Sequence, residues 1–221
     1  MIIGITGFIG SGKDTVANYL VANHGFKRDS FAGALKDAVA TVFGWDRQLL
    51  EGLTPEARSW REQVDEWWAK RLKMPNLTPR WVLQYWGTEV CRRGFHDDIW
   101  IAALEYRLQQ RTGHTVISDV RFPNEIKAIR NAGGIVIWVK RGPLPEWYNC
   151  ALTENTTHED RQWLLEDAGQ LMPQRYPQVH HSEWAWIGQF FNYEIDNNNT
   201  VDQLYTQINS LLQADLLAKQ F

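Results

Sequence analysis

The sequence predicts an α/β domain in which helices cover both faces of a doubly wound parallel sheet. Residues 1–6 form a short apolar run that leads through glycines into a helical pattern over residues 13–24. Two further compact apolar runs, at residues 114–118 and 135–139, each follow a stretch with helical periodicity. Strands and helices that alternate along one chain are typical of a parallel sheet.

The first half of the chain continues this alternation. Residues 26–31 predict a second strand, and residues 33–43 predict a helix with apolar residues on one side. Residues 45–76 are charged and contain several tryptophans, which predicts an amphipathic insertion helix. Thr78 and Pro79 form an N-cap followed by proline at the first helical position, so we expect a helix from there to about Arg93.

The third strand lies between two predicted helices. Residues 97–110 have helical periodicity and precede the strand at 114–118. Residues 123–132 predict the next helix, which Gly133 and Gly134 end.

The last third of the chain is less regular. Residues 142–186 mix prolines, polar residues and tryptophans without clear periodicity, which predicts a lid-like segment of low regularity. Residues 191–195 predict the last strand, and the capping box of Thr200 and Gln203 begins a final helix. Because no linker separates these elements, we expect one domain over residues 1–221.

Composition excludes several classes of partner. The formal net charge is −3, so the chain lacks the basic surface that holds a nucleic-acid backbone. No run approaches the ~20 apolar residues of a membrane span, and the first strand lacks the basic segment of a signal peptide. Cys91 and Cys150 have no metal-binding spacing, and we interpret them as reduced packing residues. We therefore expect small-molecule partners, with no nucleic-acid polymer and no membrane, and a cytoplasmic location.

The strongest functional motif runs from Gly7 to Lys13 and fits G-x-x-x-x-G-K. It lies between a strand and a helix, where backbone N–H groups can surround phosphate oxygens. Its lysine can reach the β- and γ-phosphates of a nucleotide. The candidate nucleotide-binding residues are Gly10, Ser11, Gly12, Lys13, Asp14 and Thr15.

One position departs from the general motif. Asp14 follows the lysine where serine or threonine is usual, and a hydroxyl comes only at Thr15. The carboxylate could hold Mg²⁺ through water, or the hydroxyl could hold it directly, so both are candidate metal ligands. A glycine-rich turn that serves packing alone is the alternative, which the lysine and the context disfavour.

A second motif follows the strand at residues 114–118. Asp119 stands at the edge where α/β sheets bind ligands, and it could receive Mg²⁺ or a substrate hydroxyl. Arg121 would point into the same crevice, where a guanidinium suits a pair of phosphoryl oxygens. A surface ion pair of little consequence is the alternative.

A third set lies on the helix that begins at Pro79. Arg80, Gln84 and Thr88 share one face, and Gly87 permits close approach, so this face could contact an anion and a polar base. Taken alone, it fits a solvated helix side better. The same alternatives apply to Lys36, and to aromatic residues that either belong to the core or hold a flat base: Trp81, Tyr85, Trp86 and Trp100.

The sequence His180-His181-Ser182-Glu183 invites a metal-site or triad interpretation. Neighbouring histidines on an extended chain point to opposite sides, and neither H-x-x-x-H nor G-x-S-x-G accompanies them. We therefore expect this segment to form hydrogen bonds in the lid.

Together these residues resemble the phage-type deoxynucleoside monophosphate kinases of the P-loop nucleoside monophosphate kinase superfamily. The resemblance spans nearly the whole chain and rests on these segments: GFIGSGKDT, FAGALKDA, TPRWVLQYWGTEVCRRGFHDDIWI, ISDVRFPNEIKAIRNAGGIVIWVKR, HHSE and YEIDNNNTVDQL. The Lys-Asp-Thr ending of the phosphate loop is usual for that family.

The resemblance implies a P-loop kinase fold whose five-stranded parallel sheet has the order 2-3-1-4-5. It implies a helical monophosphate-binding segment over residues 45–112 and a lid over residues 142–186. It also implies that the chain transfers the γ-phosphoryl group of ATP to a deoxynucleoside monophosphate with Mg²⁺. A phage origin would place the protein in the cytoplasm of a bacterial host, and the sequence leaves a homodimer open.

The resemblance assigns roles to individual positions. Many relatives carry further basic residues inside the loop, where Phe8, Ile9 and Gly10 stand here, so positive charge must come from elsewhere, such as Arg141. The implied catalytic residues are Lys13, Asp119, Arg121 and Arg141. The implied acceptor-binding residues are Lys36, Arg80, Gly87, Thr88, Trp100, Asp119, Arg121 and Glu125, and the helix face described above adds Gln84.

Two alternatives remain. One is another P-loop small-molecule kinase that acts on dephospho-coenzyme A or phosphomevalonate, although Arg80, Gln84 and the aromatic residues favour an acceptor with a base. The other is a nucleotide-binding module without catalysis. Guanine-specific switches use an Asn-Lys-x-Asp element, and the chain contains no Asn-Lys pair.

Overall fold

Five strands form one sheet with the order β2-β3-β1-β4-β5. Strand β1 pairs in parallel with β3 and β4, and β4 pairs in parallel with β5. The order agrees with the predicted 2-3-1-4-5. The strand bounds are β1 (Ile2–Thr6), β2 (Lys27–Asp29), β3 (Thr115–Ile117), β4 (Ile135–Lys140) and β5 (Tyr193–Asp196).

The computed structural model describes residues 1–156 and 171–218. Part of the predicted lid, residues 157–170, therefore lies outside the described residues. The chain forms two compact units, which we call unit 1 (Met1–Arg28 and Gly113–Phe221) and unit 2 (Asp29–Thr112). None of the described helices is both long and apolar enough to cross a membrane.

The helices lie close to their predicted positions, with some exceptions. The π-helix spans Trp86–Arg93 and a 3₁₀ helix spans His181–Glu183. The α-helices are α1 (Lys13–His24), α2 (Gly33–Phe43), α3 (Arg47–Glu51), α4 (Pro55–Glu62), α5 (Glu66–Leu72), α6 (Pro79–Tyr85), α7 (Ile99–Gln109), α8 (Pro123–Asn131), α9 (Tyr148–Thr156), α10 (Leu171–Arg175) and α11 (Val201–Ala218).

The core of unit 1 lies between the sheet and the helices α1 and α11. Strands β1, β3 and β4 are almost continuously apolar, as expected where helices cover a parallel sheet. The capping box predicted for α11 is present, because Gln203 N donates to Thr200 Oγ1 (3.4 Å) and Thr200 N donates to Gln203 Oε1 (3.3 Å). The buried residues of the unit 1 core include Ile3, Ile5, Val16, Leu20, Val116, Ile137, Val139, Ile195, Leu204 and Ile208.

Unit 2 corrects the prediction of one insertion helix over residues 45–76. Three short helices, α3, α4 and α5, occupy that range. Each begins at its own N-cap, since Asp46, Thr54 and Asp65 accept hydrogen bonds from the first backbone N–H groups of the helix that follows. Local capping thus begins a new helix at three places where the charge pattern alone predicted one continuous helix.

The helix predicted from Pro79 to about Arg93 also needs correction. The α-helical part, α6, ends at Tyr85, and a π-helix continues the turn to Arg93. A Cβ added at Gly87 would lie 2.7 Å from Leu35 Cδ2, so only glycine fits this close approach without displacement. The Gly87 carbonyl accepts a hydrogen bond from Trp100 Nε1 at 2.9 Å, a side-chain bond made at the widened turn.

Two further predictions in unit 1 are adjusted. Strand β5 begins at Tyr193 instead of residue 191. The segment predicted to have low regularity contains α9, α10 and the 3₁₀ helix among its described residues.

Candidate active site

The glycine loop between β1 and α1 has the backbone that the motif requires. Gly7, Gly10 and Gly12 all have positive φ angles, of 144°, 79° and 98°. Side chains rarely tolerate this region, so the spacing of the glycines determines how the loop bends. Gly12 is the N-cap of α1 and no side chain caps the helix there. The first N–H groups of α1 have no partner within the helix, which suits this end to an anion.

Lys13 is held against the loop by neutral groups. Its Nζ donates to the carbonyl oxygens of Gly7 and Phe8, both at 2.7 Å. Burial, and after it the nearby positive charge of Arg121, lower the pKa of Lys13 from 10.5 to about 8. Asp14 and Glu183 act in the opposite direction. The buried charge of Lys13, with the charge of Arg121 beside it, favours an anion at this position.

Two hydroxyl groups beneath the loop have no hydrogen-bond partner in the described part of the chain. They are Thr6 Oγ1 at the end of β1 and Ser11 Oγ in the loop, and both side chains are buried. Buried polar atoms are normally hydrogen-bonded. Together with the glycine backbone and Lys13, these orphaned groups fit the phosphate chain of a nucleotide.

The candidate metal ligands lie in the first turn of α1. Asp14 is half-buried and its carboxylate accepts from Arg28, whose Nη2 also donates to Ser118 Oγ at 2.8 Å. Thr15 is exposed. In the described ranges no group of three or more His, Cys, Asp or Glu is arranged to hold a metal ion. The oxygen donors of Asp14 and Thr15 match the ligand chemistry of Mg²⁺, which takes most of its remaining ligands from substrate phosphates and water.

The motif after β3 brings Arg121 toward Lys13 and buries Glu125. The carboxylate of Glu125 accepts from the backbone N–H groups of Arg121 (2.7 Å) and Phe122 (3.1 Å), and the residue is 2% exposed. The predicted substrate-binding residue Glu125 therefore shapes the turn before α8. Asp119 lies half-buried in the same turn, and the Arg121 side chain is exposed.

Ser182 contacts Arg121, which sequence reasoning did not predict. Arg121 Nη1 donates to Ser182 Oγ at 3.4 Å, and Ser182 Oγ lies 2.8 Å from His180 Nδ1. The expected hydrogen bonds of this segment are thus present. The expected extended backbone holds for His180 only, since a 3₁₀ helix begins at His181. The motif HHSE indicated that the segment is important but gave no sign of its contact with Arg121.

A cavity of about 410 Å³ lies at the carboxyl ends of β4 and β5. Phe8 of the phosphate loop forms part of its wall. Asn197, just after β5, links the wall of the cavity to the phosphate loop, because its Nδ2 donates to Ser11 O at 2.8 Å. The other lining residues are Trp138, Lys140, Arg141, Gly142, Pro143, Leu144, Glu194, Asp196, Asn198 and Gln207.

Phe8 also anchors the phosphate loop to an aromatic cluster of unit 1. Its ring centroid lies 5.0 Å from that of Trp186 and 5.6 Å from that of Trp147. Trp138 contacts Trp186 in turn at 5.5 Å. Position 8 is one of the loop positions where the resemblance leads us to expect a basic residue. The apolar ring of Phe8 packs against tryptophans of the same unit instead.

Unit 2 carries the remaining predicted residues. Lys36 Nζ forms an ion pair with Glu51 Oε2 at 2.5 Å, and Arg80 Nε lies 3.3 Å from Glu62 Oε1. Trp100 is joined to Gly87 by the hydrogen bond described above. Thr88 is buried and Gln84 is half-buried.

Comparison with known proteins gives two relatives that share much of the sequence. A protein of Acanthamoeba polyphaga mimivirus, provisionally named a deoxynucleotide monophosphate kinase, is 36% identical over 153 residues, which cover 64% of this chain and 74% of the relative. The deoxynucleoside-5'-monophosphate kinase of Escherichia phage T5 is 26% identical over 187 residues, covering 59% of this chain and 72% of that one. No family model matches the chain.

Among solved structures, shikimate kinase from Aquifex aeolicus aligns over 98% of this chain and 99% of its own, with 9% identity and a TM-score of 0.45. A likeness of that strength bears on neither fold nor function. The fold rests on the strand order and pairing described above.

Proposed function

The chain belongs to the deoxynucleotide monophosphate kinase family, and from that premise we propose that it transfers the γ-phosphoryl group of ATP to a deoxynucleoside monophosphate at the phosphate loop. The observation that carries this proposal is the pair of cations, Lys13 and Arg121, beside a glycine loop with orphaned hydroxyls. A phosphate chain supplies the negative charge and the acceptors that this arrangement lacks.

The chemistry requires little covalent participation by the protein. A phosphate oxygen of the acceptor forms a bond to the γ-phosphorus while the bond from that phosphorus to the β–γ bridging oxygen breaks, which releases ADP. Negative charge spreads over the γ-oxygens and the leaving oxygen as this happens. Lys13 would stabilise that charge from the loop and Arg121 from the turn before α8.

Asp14 and Thr15 are the residues that would hold Mg²⁺. When bound, the ion neutralises charge on the β- and γ-phosphates. The ion pair with Arg28 holds the Asp14 carboxylate in the first turn of α1, next to the lysine. Asp119 remains a second candidate for contact with the ion or the acceptor.

We assign the nucleoside part of ATP to the cavity beside the phosphate loop. Its volume of about 410 Å³ lies within the ~300–1,000 Å³ usual for ligand sites. The rings of Phe8 and Trp138 offer apolar contact, and Asn198 and Gln207 offer amide groups. Arg141 in its wall would add a further positive charge to that of Lys13 in the loop.

The acceptor residues of unit 2 remain a proposal. Lys36, Arg80, Gln84, Gly87 and Thr88 would contact the monophosphate and its base. Trp100 would pack where a 2′-hydroxyl would lie. A pocket that rejects a hydroxyl by leaving it desolvated achieves about a hundredfold discrimination, which sets the expected upper limit for deoxyribose over ribose.

A coupled ADP-release assay tests the proposal against its alternatives. ATP is combined in turn with deoxynucleoside monophosphates, ribonucleoside monophosphates, dephospho-coenzyme A and phosphomevalonate. We expect turnover with a deoxynucleotide and a higher kcat/KM than for the matching ribonucleotide. Turnover with only the last two acceptors would favour another small-molecule kinase, and ATP binding without any turnover would favour a binding module.

A further inference from the structure

We propose that Ser182 is a positioning residue for Arg121, and that His180 fixes the direction of its hydroxyl. The inference rests on the proposed contact between Arg121 and phosphate. It concerns a segment for which the sequence predicts only hydrogen bonds in the lid.

The hydrogen bonds around Ser182 have only one consistent direction. The backbone N–H of Ser182 donates to His180 Nδ1 at 3.2 Å, so this ring nitrogen is an acceptor and carries no proton. The hydroxyl of Ser182, 2.8 Å from the same nitrogen, is then the donor of that contact, and the N–H and O–H of Ser182 share the single lone pair of Nδ1. The lone pairs of Ser182 Oγ are left for the N–H of Arg121, which lies at 3.4 Å.

Arg121 is thereby restrained at both ends. Glu125 accepts from its backbone N–H, and Ser182 accepts from its guanidinium. The guanidinium is otherwise exposed, and a long exposed side chain occupies many rotamers. A fixed acceptor selects the rotamers that keep its charge near Lys13.

The segment that supplies the acceptor is itself well fixed. Ser182 is 7% exposed, in the 3₁₀ helix. The neighbouring His181 packs its ring on Trp184, with centroids 4.6 Å apart, and on Phe122, at 5.7 Å. Because Phe122 directly follows Arg121, the contact between His181 and Phe122 keeps the 3₁₀ helix next to the residue that it would orient.

The test compares Ser182→Ala with Ser182→Thr in the full chain, using ATP and the best deoxynucleoside monophosphate. One net hydrogen bond corresponds to about a three- to tenfold change in an equilibrium. We expect Ser182→Ala to lower kcat/KM for the acceptor by about that factor while the KM for ATP stays within twofold. Ser182→Thr keeps the hydroxyl and should restore most of the activity.

Three further variants separate this role from a structural one. Ser210→Ala removes an exposed serine hydroxyl from α11 and should change neither kinetic constant. His180→Asn offers a carbonyl oxygen in place of Nδ1 and should retain more activity than His180→Ala. An equal loss for the two histidine variants, or a Ser182→Ala loss that appears in both KM values, would overturn the proposal.

A double-mutant cycle with Arg121→Lys decides whether Ser182 acts through Arg121. We expect Ser182→Ala to cost less than twofold in the Arg121→Lys background, because the fork of the guanidinium is already gone. The same cost in both backgrounds would overturn the positioning role alone. An Arg121→Lys variant with wild-type acceptor kinetics would instead overturn the proposed role of Arg121, so the two failures are distinguishable. Melting temperatures within a few degrees of the wild type confirm that each variant is folded.

Discussion

The predicted binding cations of unit 1 and unit 2 have opposite surroundings. In unit 1, Lys13 donates to two main-chain carbonyls and Arg121 to a serine hydroxyl. In unit 2, Lys36 pairs with Glu51 and Arg80 approaches Glu62. No carboxylate neutralises the charge of Lys13 or Arg121 through these contacts, so both charges are open to an incoming ligand. A ligand that binds Lys36 or Arg80 has to displace a carboxylate first.

The difference shows that the type of residue is a weaker indication than the groups that surround it. Lys13 and Arg121 contact carbonyl and hydroxyl oxygens, which neutralise no charge. Lys36 and Arg80, on helices, each meet a carboxylate of another helix, which does neutralise charge. An exposed pair such as that of Arg80 contributes only about 0–1 kcal/mol, so a phosphate could displace Glu62 at little cost. Lys36, with 13% of its side chain exposed, is held more firmly.

Replacing Lys13 should produce the largest effect and is the most direct way to break the comparison. Lys13→Ala removes the charge that the loop keeps for the transferring phosphoryl group, and we expect kcat to fall by about 10²-fold or more. The acceptor KM should change much less, since the charge matters most in the transition state. Lys27→Ala removes an exposed lysine of β2 and serves as the control. Turnover of Lys13→Ala within a few-fold of the wild type would contradict the assignment of the loop.

Arg80 tests whether a helix cation can exchange its partner. If it binds the acceptor phosphate, Arg80→Ala should raise the acceptor KM by about tenfold or more and leave the ATP KM unchanged, since charge-assisted hydrogen bonds contribute ~1.5–3 kcal/mol. The matched variant Glu62→Gln removes the competing carboxylate and should lower the acceptor KM slightly. Unchanged kinetics in both variants would make this a surface ion pair without function.

A substitution of Trp100 tests whether its ring serves only the fold or also excludes the 2′-hydroxyl of a ribonucleotide. Trp100→Phe keeps an aromatic ring but removes the N–H that binds the Gly87 carbonyl, and we expect a loss of about 1 kcal/mol in the free energy of unfolding. If the ring also excludes a 2′-hydroxyl, the ratio of kcat/KM for a deoxynucleotide to that for its ribonucleotide should fall several-fold. Denaturant unfolding and kinetics with both sugars measure the two effects separately. Lower stability with an unchanged ratio would leave the tryptophan a structural role only.

The smallest expected effect is a fraction of a proton. Lys13 loses its proton near pH 8 in the unliganded protein, because its pKa is lowered to about 8. The phosphates of ATP favour the charged form and raise this pKa, so binding should take up protons between about pH 7.5 and 9. Calorimetric titrations in two buffers with different ionisation enthalpies measure the uptake. Lys13→Met should abolish it, and proton release by the wild type would show that the lysine is not the group involved.

The sheet and the phosphate loop could be predicted because both are determined by local pattern. Apolar runs mark β1, β3 and β4, and the spacing of Gly7, Gly10 and Gly12 carries the loop geometry in three positive φ angles. The division of residues 45–76 into three helices was missed, since each break depends on one capping side chain within a uniformly charged stretch.

Contacts between distant parts of the chain were beyond prediction. Arg121 and Ser182 are 61 residues apart, and no periodicity relates them. Glu125 illustrates the opposite difficulty, because the resemblance singled it out as a substrate-binding residue without indicating its contacts. Only the structure shows its carboxylate bound to the two backbone N–H groups before α8.

The ring packing around Phe8 gives the phosphate loop an optical consequence. Phenylalanine itself scarcely fluoresces, but Trp186 and Trp147 lie 5.0 and 5.6 Å from it, and Trp138 stands edge-on to Trp186. Any shift of the loop alters the polarity around these indoles and the coupling of their transitions. The emission spectrum and near-ultraviolet circular dichroism of the unlabelled protein should therefore record when the loop is filled.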